Sequence, residues 1–280
     1  MNVLVTGANG KLGQEIKFHP QRFSNYYFSD ADSLDITNAQ AIRAFVQERA
    51  IDLIINCAAY TNVDKAEDEA LQAERINTTA VAHLASLCKE EGLSLIHIST
   101  DYVFGGRQNT PYTEADATDP LGVYGRTKLA GERAVQEAGC DYLIIRTSWL
   151  YSLRFGHNFV KTITRLSGER EELKVVFDQV GTPTNAADLA DFIVQAVEKG
   201  WYKGKREVYH FSNEGVCSWY DFAEAIVACE GRSCKVLPCR SDAYPSKVTR
   251  PAYSVLDKTK LKRDFGYSIP HWRESLKRLK

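Results

Sequence analysis

What this sequence lacks narrows its class first. It has no basic excess: 35 Lys and Arg stand against 36 Asp and Glu, a formal net charge of -1. The electrostatic footprint of a nucleic-acid-binding surface is therefore missing. No apolar run reaches the roughly 18 residues of a membrane span. Met1 leads straight into a short apolar strand, with neither a charged leader nor a cleavage site. A cytoplasmic protein is expected, with no nucleic acid and no membrane among its partners. Close cysteine pairs are also missing. The seven cysteines fall at 57, 88, 140, 217, 229, 234 and 239, with no Cys-x-x-Cys among them. Reduced, packed thiols are expected in place of disulfides or a zinc site. Cys234 and Cys239 are the only local pair a metal could use, and no metal is expected to be required. Internal repeats and low-complexity linkers are absent as well.

What is present is an ordinary globular composition, 44% hydrophobic and 25% charged. A length of 280 residues suits one large α/β domain, or one domain with a smaller lobe. Val3-Leu4-Val5 is a short apolar strand, and GANGKLG follows at once, leading into a helix. A strand, a glycine turn and a helix give a glycine-rich motif its meaning. Gly7 permits the tight turn, Gly10 lets backbone approach a pyrophosphate, and Gly13 lets the helix pack closely. The phosphates then meet free N–H groups at a helix N-terminus.

A second strand reads through Tyr26 to Ser29 and ends at Asp30. An acidic residue about 20 positions past such glycines binds adenosine ribose hydroxyls. Asp30 and Asp32 are the candidates. A carboxylate there repels a 2′-phosphate and favours NADH, whereas Lys11 in the glycine loop favours NADPH, so both cofactors stay open. Thr37 or Asp35 is expected to cap the next helix. Ile51 to Cys57 is an apolar strand followed by small residues, Ala58 and Ala59. Leu71 to Glu91 reads as one long helix. Leu93 to Ile98 is a further strand with Ser99-Thr100-Asp101 at its C-terminal end, where ligands bind in open α/β sheets. Tyr142 to Thr147 is another strand. Alternating strands and helices predict an α/β fold with a doubly wound parallel (Rossmann) sheet. Residues 1–150 are expected to form the dinucleotide-binding domain, completed by about 172–211. Residues 212–280, with 151–171, are expected to form a smaller C-terminal substrate-binding lobe.

Tyr124 and Lys128 lie between the last two strands, in PLGVYGRTKLAGE. On a helix, residues four apart share one face. An ammonium held close to a phenol favours the phenolate and brings its pKa toward neutrality, making a proton donor at cellular pH. The spacing alone recurs by chance in about one chain of this size. Tyr124 is, however, the only tyrosine here with a lysine four residues later.

Taken together, these stretches resemble the extended short-chain dehydrogenase/reductase family. The matching pieces are TGANGKLG at 6–13, NCAAYT at 56–61, Asn77, ISTDYVF at 98–104 and YGRTK at 124–128. RTSWLY, FDQVGTPTNAADLA and RPAYSVLD carry the resemblance through the second half, toward the family's nucleotide-sugar ketone reductases. The resemblance implies that Tyr124 protonates the sugar C4 carbonyl oxygen, that Lys128 holds the nicotinamide ribose and lowers the Tyr124 pKa, and that Thr100 bonds the carbonyl oxygen. It implies a pyrophosphate wrapped by Gly7, Asn9, Gly10, Lys11, Leu12 and Gly13. Asp30, Asp35, Ile36, Cys57, Ala58, Ala59, Tyr60, Asn77 and Ser99 would complete the NADPH or NADH site. Asp101, Tyr102, Trp149, Asn158 and Arg250 would face the nucleotide sugar, dTDP-4-dehydro-6-deoxy-L-mannose.

Dehydratases of this scaffold place Asp-Glu directly after the threonine, whereas here Tyr102 follows Asp101, which argues for a simple reductase. An epimerase stays open. So does a non-catalytic NADP-binding protein resembling the regulatory subunit of methionine adenosyltransferase, although the start of the chain at its first strand favours the enzyme. A homodimer is left open. Some relatives are described as metal-linked dimers, to which a residue such as Glu15 could contribute, but a lone helical glutamate is expected to be solvated.

Overall fold

The computed structural model describes residues 1–243 and 246–279. Its centre is a parallel six-stranded sheet. The strands β1 (Asn2–Thr6), β2 (Asn25–Phe28), β3 (Leu53–Asn56), β4 (Ser94–Thr100) and β5 (Asp141–Thr147) are joined by Arg206–His210. In space the order is β2-β1-β3-β4-β5, then the Arg206–His210 strand. Neighbours in register include Val3 with Leu53, Leu53 with Ser94 and Ser94 with Asp141.

The apolar runs dictate this arrangement. Side chains alternate across a strand, and the central runs carry apolar residues on both faces, so both faces must be covered. Val3, Val5, Leu53, Ile55, Ile96 and Leu143 point to one side, where Leu189, Phe192 and Ile193 of helix Ala186–Glu198 pack on them. Leu4, Ile54, Leu95 and Ile144 point to the other, against Val81, Leu84 and Val135. Burying each such side chain contributes roughly 1.5–3 kcal/mol. The chain reverses its direction of travel across the sheet between β1 and β3. The loops after these strands therefore part and leave a crevice at their C-terminal ends.

The smaller lobe has its own core of Tyr151, Val160, Leu173, Phe222 and Trp272. It holds helices Phe159–Glu169, Trp219–Cys229 and Trp272–Lys277. Two expected boundaries are corrected. Glu172–Val176 does not complete the main sheet but pairs in parallel with Lys235–Cys239. Only Leu173 and Val175 of that strand are buried, so it has one apolar face and cannot sit inside a sheet covered on both. Conversely, Leu261 and Ile269 return to the main core, so 212–280 is not confined to the lobe.

Local corrections follow from capping and helix geometry. The helix Ala39–Glu48 is capped by Asn38, whose side chain accepts from the Ala41 N–H, and not by Thr37 or Asp35. Asp35 instead accepts from the Thr37 N–H at 2.9 Å and its hydroxyl at 2.8 Å. The helix expected over 71–91 runs unbroken from Ala70 to Glu90, with a π turn at Arg75–Thr79 inside it. No helix among the described residues is long and apolar enough to cross a membrane.

Candidate active site

A cleft of about 620 Å³ runs along the C-terminal edge of the sheet, between the sheet and the lobe. At its floor lies the glycine turn. Gly7 has φ +65°, and a Cβ there would stand 2.6 Å from the Ala58 nitrogen, so the loops after β1 and β3 touch backbone to backbone. Only glycine permits both the left-handed backbone and that approach. The short helix Lys11–Lys17 starts at the cleft, with Gly10, Lys11, Leu12 and Gly13 along it. Burial lowers the pKa of the Lys11 ammonium. Asp30 also lines the cleft, but its carboxylate is engaged, accepting from the Asn9 and Ala31 N–H groups at 2.7 Å each.

The reactive end is built by β4 and the helix Val123–Ala138. Thr100 ends the strand, Asp101 opens the short 3-10 turn that follows, and Tyr124 and Lys128 lie one helical turn apart facing them. Gly125 explains the close seat of this helix: a Cβ there would meet the Tyr102 carbonyl oxygen at 2.3 Å. Tyr102 and Tyr124 meet edge to face at 5.6 Å. Asp101 is buried, with one carboxylate oxygen lacking a partner and the other accepting from Thr100 Oγ1 at 3.1 Å. Burial raises its pKa to about 6, opposed by the nearby Ser254 and by the hydrogen bond from Thr100.

The Tyr–Lys electrostatics differ from the expectation. Burial raises the Tyr124 phenol, only partly opposed by its hydrogen bond with Thr100, and Lys128 does not pull it down. The reason is where the lysine points: its Nζ donates to the Ile98 carbonyl at 2.6 Å. Lys128 is itself lowered to about 8 by burial, with Glu132 and Cys57 opposing. Glu132 is fully buried and paired with Arg146 at 2.7 Å, with the Ser99 hydroxyl also donating to it.

Across the cleft stands an aromatic wall from the lobe. Trp149 and Trp219 stack at 3.6 Å and 8°, and Phe159 tilts against Trp219 at 4.6 Å. Trp149 also lies close against Gly181, where a Cβ would stand 2.7 Å from its ring, and takes an unusual backbone, φ +47°. Arg250 reaches in from the C-terminal segment, bonded to Asp64 at 2.8 Å. Asn158 lines the cleft, yet its amide caps the helix at 159–169 and donates to the Ser152 carbonyl at 2.7 Å.

Most residues expected at the site meet in this one space: Gly7, Gly10, Lys11, Leu12, Gly13, Asp30, Asp35, Ile36, Cys57, Ala58, Ala59, Ser99, Thr100, Asp101, Tyr102, Tyr124, Lys128, Trp149, Asn158 and Arg250. Asn9, Tyr60 and Asn77 do not line it. Asn77 is fully buried and braces the scaffold, exchanging hydrogen bonds with the Tyr60 backbone and donating to Thr127 Oγ1 at 3.1 Å. The Tyr60 hydroxyl turns outward to Glu69 at 2.6 Å. Glu15 is also not the solvated residue expected. It is 5% exposed and accepts from the Ser152 hydroxyl at 2.6 Å.

Sequence reasoning missed Trp219 and Phe159. The available signal for Trp219 was Ser218-Trp-Tyr-Asp221, a capping box that places it on the first helical turn.

The cleft fits a dinucleotide with a polar sugar beside it. Its glycine floor leaves backbone bare, and the buried Asp101 Oδ2 and Thr147 Oγ1 that line it have no protein partner. Fold and site together define the class, a doubly wound α/β protein whose cleft carries a Tyr–Lys pair one helical turn apart. Within that class the chain belongs to the RmlD substrate binding domain family, whose model matches residues 1–280. It is 40% identical over 286 residues to the dTDP-4-dehydrorhamnose reductase of Burkholderia thailandensis, covering 98% of this chain and 96% of that one. Among solved structures, a dTDP-4-dehydrorhamnose reductase from Clostridium acetobutylicum has a TM-score of 0.94 at 42% identity, over 100% of this chain and 98% of that one. The Bacillus anthracis dTDP-4-dehydrorhamnose reductase, solved in complex with NADP, has a TM-score of 0.93 at 40% identity, over 99% and 98%.

Proposed function

We propose that this chain is an NAD(P)H-dependent reductase that converts dTDP-4-dehydro-6-deoxy-L-mannose to dTDP-L-rhamnose at C4, the activity named in its full-length relatives. The observation that carries the reading is the convergence of Thr100, Tyr124 and Lys128 on the cleft floored by the glycine turn. Bound reduced nicotinamide supplies the hydride. Gly7, Gly10, Lys11, Leu12 and Gly13 hold the pyrophosphate, with Asp30, Asp35 and Ile36 on the adenosine side. Ala58, Ala59, Ser99 and Lys128 hold the nicotinamide half.

As the ketone is reduced, negative charge develops on its oxygen. Tyr124 donates the proton to that oxygen, and Thr100 turns its hydroxyl to keep the oxygen in line. Trp149 and Trp219 offer an amphipathic wall to the pyranose, and Arg250 faces the nucleotide diphosphate. The lone Asp101, followed by Tyr102 in place of a second carboxylate, supports a single reduction over dehydration.

The test is turnover. Purified protein given the ketone should consume one NAD(P)H per sugar reduced. Protein that retains stoichiometric NAD and consumes no NAD(P)H in the presence of the ketone would contradict the reductase and leave an epimerase or a non-catalytic role.

A further inference from the structure

Behind the Tyr124–Lys128 pair runs a line of buried polar side chains that ends on Lys128, and the proposed reaction gives its other members, Thr6, Asn56 and His97, no role. Thr6, Asn56, His97 and Lys128 are each at most 2% exposed. The Thr6 hydroxyl donates to Asn56 Oδ1 at 2.7 Å, and the Ala58 backbone N–H donates to the same oxygen at 3.2 Å. Asn56 Nδ2 meets His97 Nδ1 at 3.1 Å, and His97 Nε2 meets Lys128 Nζ at 3.5 Å.

These contacts fix the protons. A backbone N–H can only donate, so the amide atom facing Ala58 is the oxygen. The Asn56 amide N–H therefore donates to His97 Nδ1, which must be bare. Burial and the neighbouring Lys128 hold the His97 pKa well below its usual value, so the ring is neutral. Its single proton is on Nε2, facing Lys128. An ammonium has only donors to offer that N–H, whereas a neutral amine offers a lone pair.

The other groups facing Lys128 act alongside this preference. The Ile98 carbonyl accepts one N–H at 2.6 Å, from the amine or, more strongly, from the ammonium. Glu132 favours the ammonium, but Arg146 at 2.7 Å and the Ser99 hydroxyl already hold its carboxylate. Cys57 is neutral, its thiol pushed up to about 12 by burial.

We propose that His97 is a positioning residue for Lys128: its Nε2–H, fixed by Asn56, is aimed at the lysine nitrogen and favours its neutral amine, so that Lys128 releases its proton to water at a lower pH than it would without His97. Loss of one proton from Nζ frees the lone pair that accepts Nε2–H, and no other atom in the line changes state. The proposal rests on the reading of Lys128 as the lysine of the active site.

The tautomer is read directly by ¹⁵N NMR of the His97 ring in the full-length protein. A proton on Nε2 at neutral pH is expected, and a proton on Nδ1 or on both nitrogens would overturn the proposal. Asn56→Asp retains acceptors for Thr6 and Ala58 but accepts from Nδ1–H. It should switch the tautomer, let Nε2 accept from the ammonium, and raise the pH at which Lys128 deprotonates by about one unit or more. His97→Phe, which adds no charge, should move it in the same direction. Both are read as the alkaline limb of kcat/KM and by ¹⁵N titration of Nζ. A limb unmoved in both folded variants would overturn the proposal, because a merely structural His97 predicts that result. The NMR readings need no turnover, so absence of reductase activity would sink the proposed function and leave the tautomer result standing.

Discussion

Asp101→Asn should stabilise the protein at pH 8 and do so much less at pH 4. Asp101 is 1% exposed, and one of its carboxylate oxygens has no partner. Burial raises its pKa from 3.8 to about 6. The folded value lies above the unfolded one, so at intermediate pH the native state binds more protons and stability falls as pH rises. The favourable contribution of the protonated acid is complete below about pH 4 and is lost by the time pH passes about 6. A shift of about two units at 1.36 kcal/mol each corresponds to roughly 3 kcal/mol. Asparagine keeps the shape, accepts from Thr100 on one atom, and carries no charge to desolvate. Urea unfolding of both proteins at the two pH values gives the difference of differences, which cancels any fixed effect of the new amide. An advantage of Asn at pH 8 that exceeds its advantage at pH 4 by about 2–3 kcal/mol is expected. Equal effects at the two pH values would show that Asp101 is not a strained buried acid.

Other substitutions probe separate parts of the account. Trp219→Ala removes the ring stacked on Trp149 and should raise KM for the sugar several-fold with a smaller effect on kcat, measured by steady-state kinetics. Asp30→Ala should raise the NADPH to NADH ratio of kcat/KM, and an unmoved ratio would take Asp30 away from the ribose. Asn77→Ala leaves the Tyr60 backbone groups and Thr127 short of partners and should cost about 2–3 kcal/mol in chemical denaturation. Gly125→Ala drives a methyl into the Tyr102 carbonyl and should lower kcat more than ten-fold by displacing Tyr124, with folding checked by circular dichroism.

Five of the sheet's six strands were legible because each carries an apolar run bounded by glycine or helix signals, whereas Arg206–His210 was not read, its apolar run being only Val208 and Tyr209. The strand at 172–176 was misplaced because sequence order favoured the main sheet, while its own alternation, Leu173 and Val175 against Glu172 and Lys174, described a one-faced partner for 235–239. The glycine turn and the Tyr124–Lys128 face were readable from spacing. What spacing cannot carry is the direction of a long side chain. The reach of Lys128 to the Ile98 carbonyl depends on β4, and the inward turn of Asn77 depends on helix 123–138. Trp219 escaped notice because its contact with Trp149 joins positions 70 residues apart in the chain. The charge state of Asp101 is likewise set by burial, which is a property of the fold.

The central claim is that Tyr124 is the acid that protonates the reduced ketone. Tyr124→Phe keeps the ring and its edge contact with Tyr102 and removes only the hydroxyl. General acid catalysis contributes about 10²–10⁴-fold, or roughly 3–5 kcal/mol of barrier. Single-turnover reduction of dTDP-4-dehydro-6-deoxy-L-mannose by the folded Tyr124→Phe protein, with reduced cofactor saturating, measures that contribution directly. A rate lower by 10²–10⁴-fold with cofactor affinity unchanged is the predicted result. A rate within about ten-fold of the parent would contradict the account and assign the proton to another group.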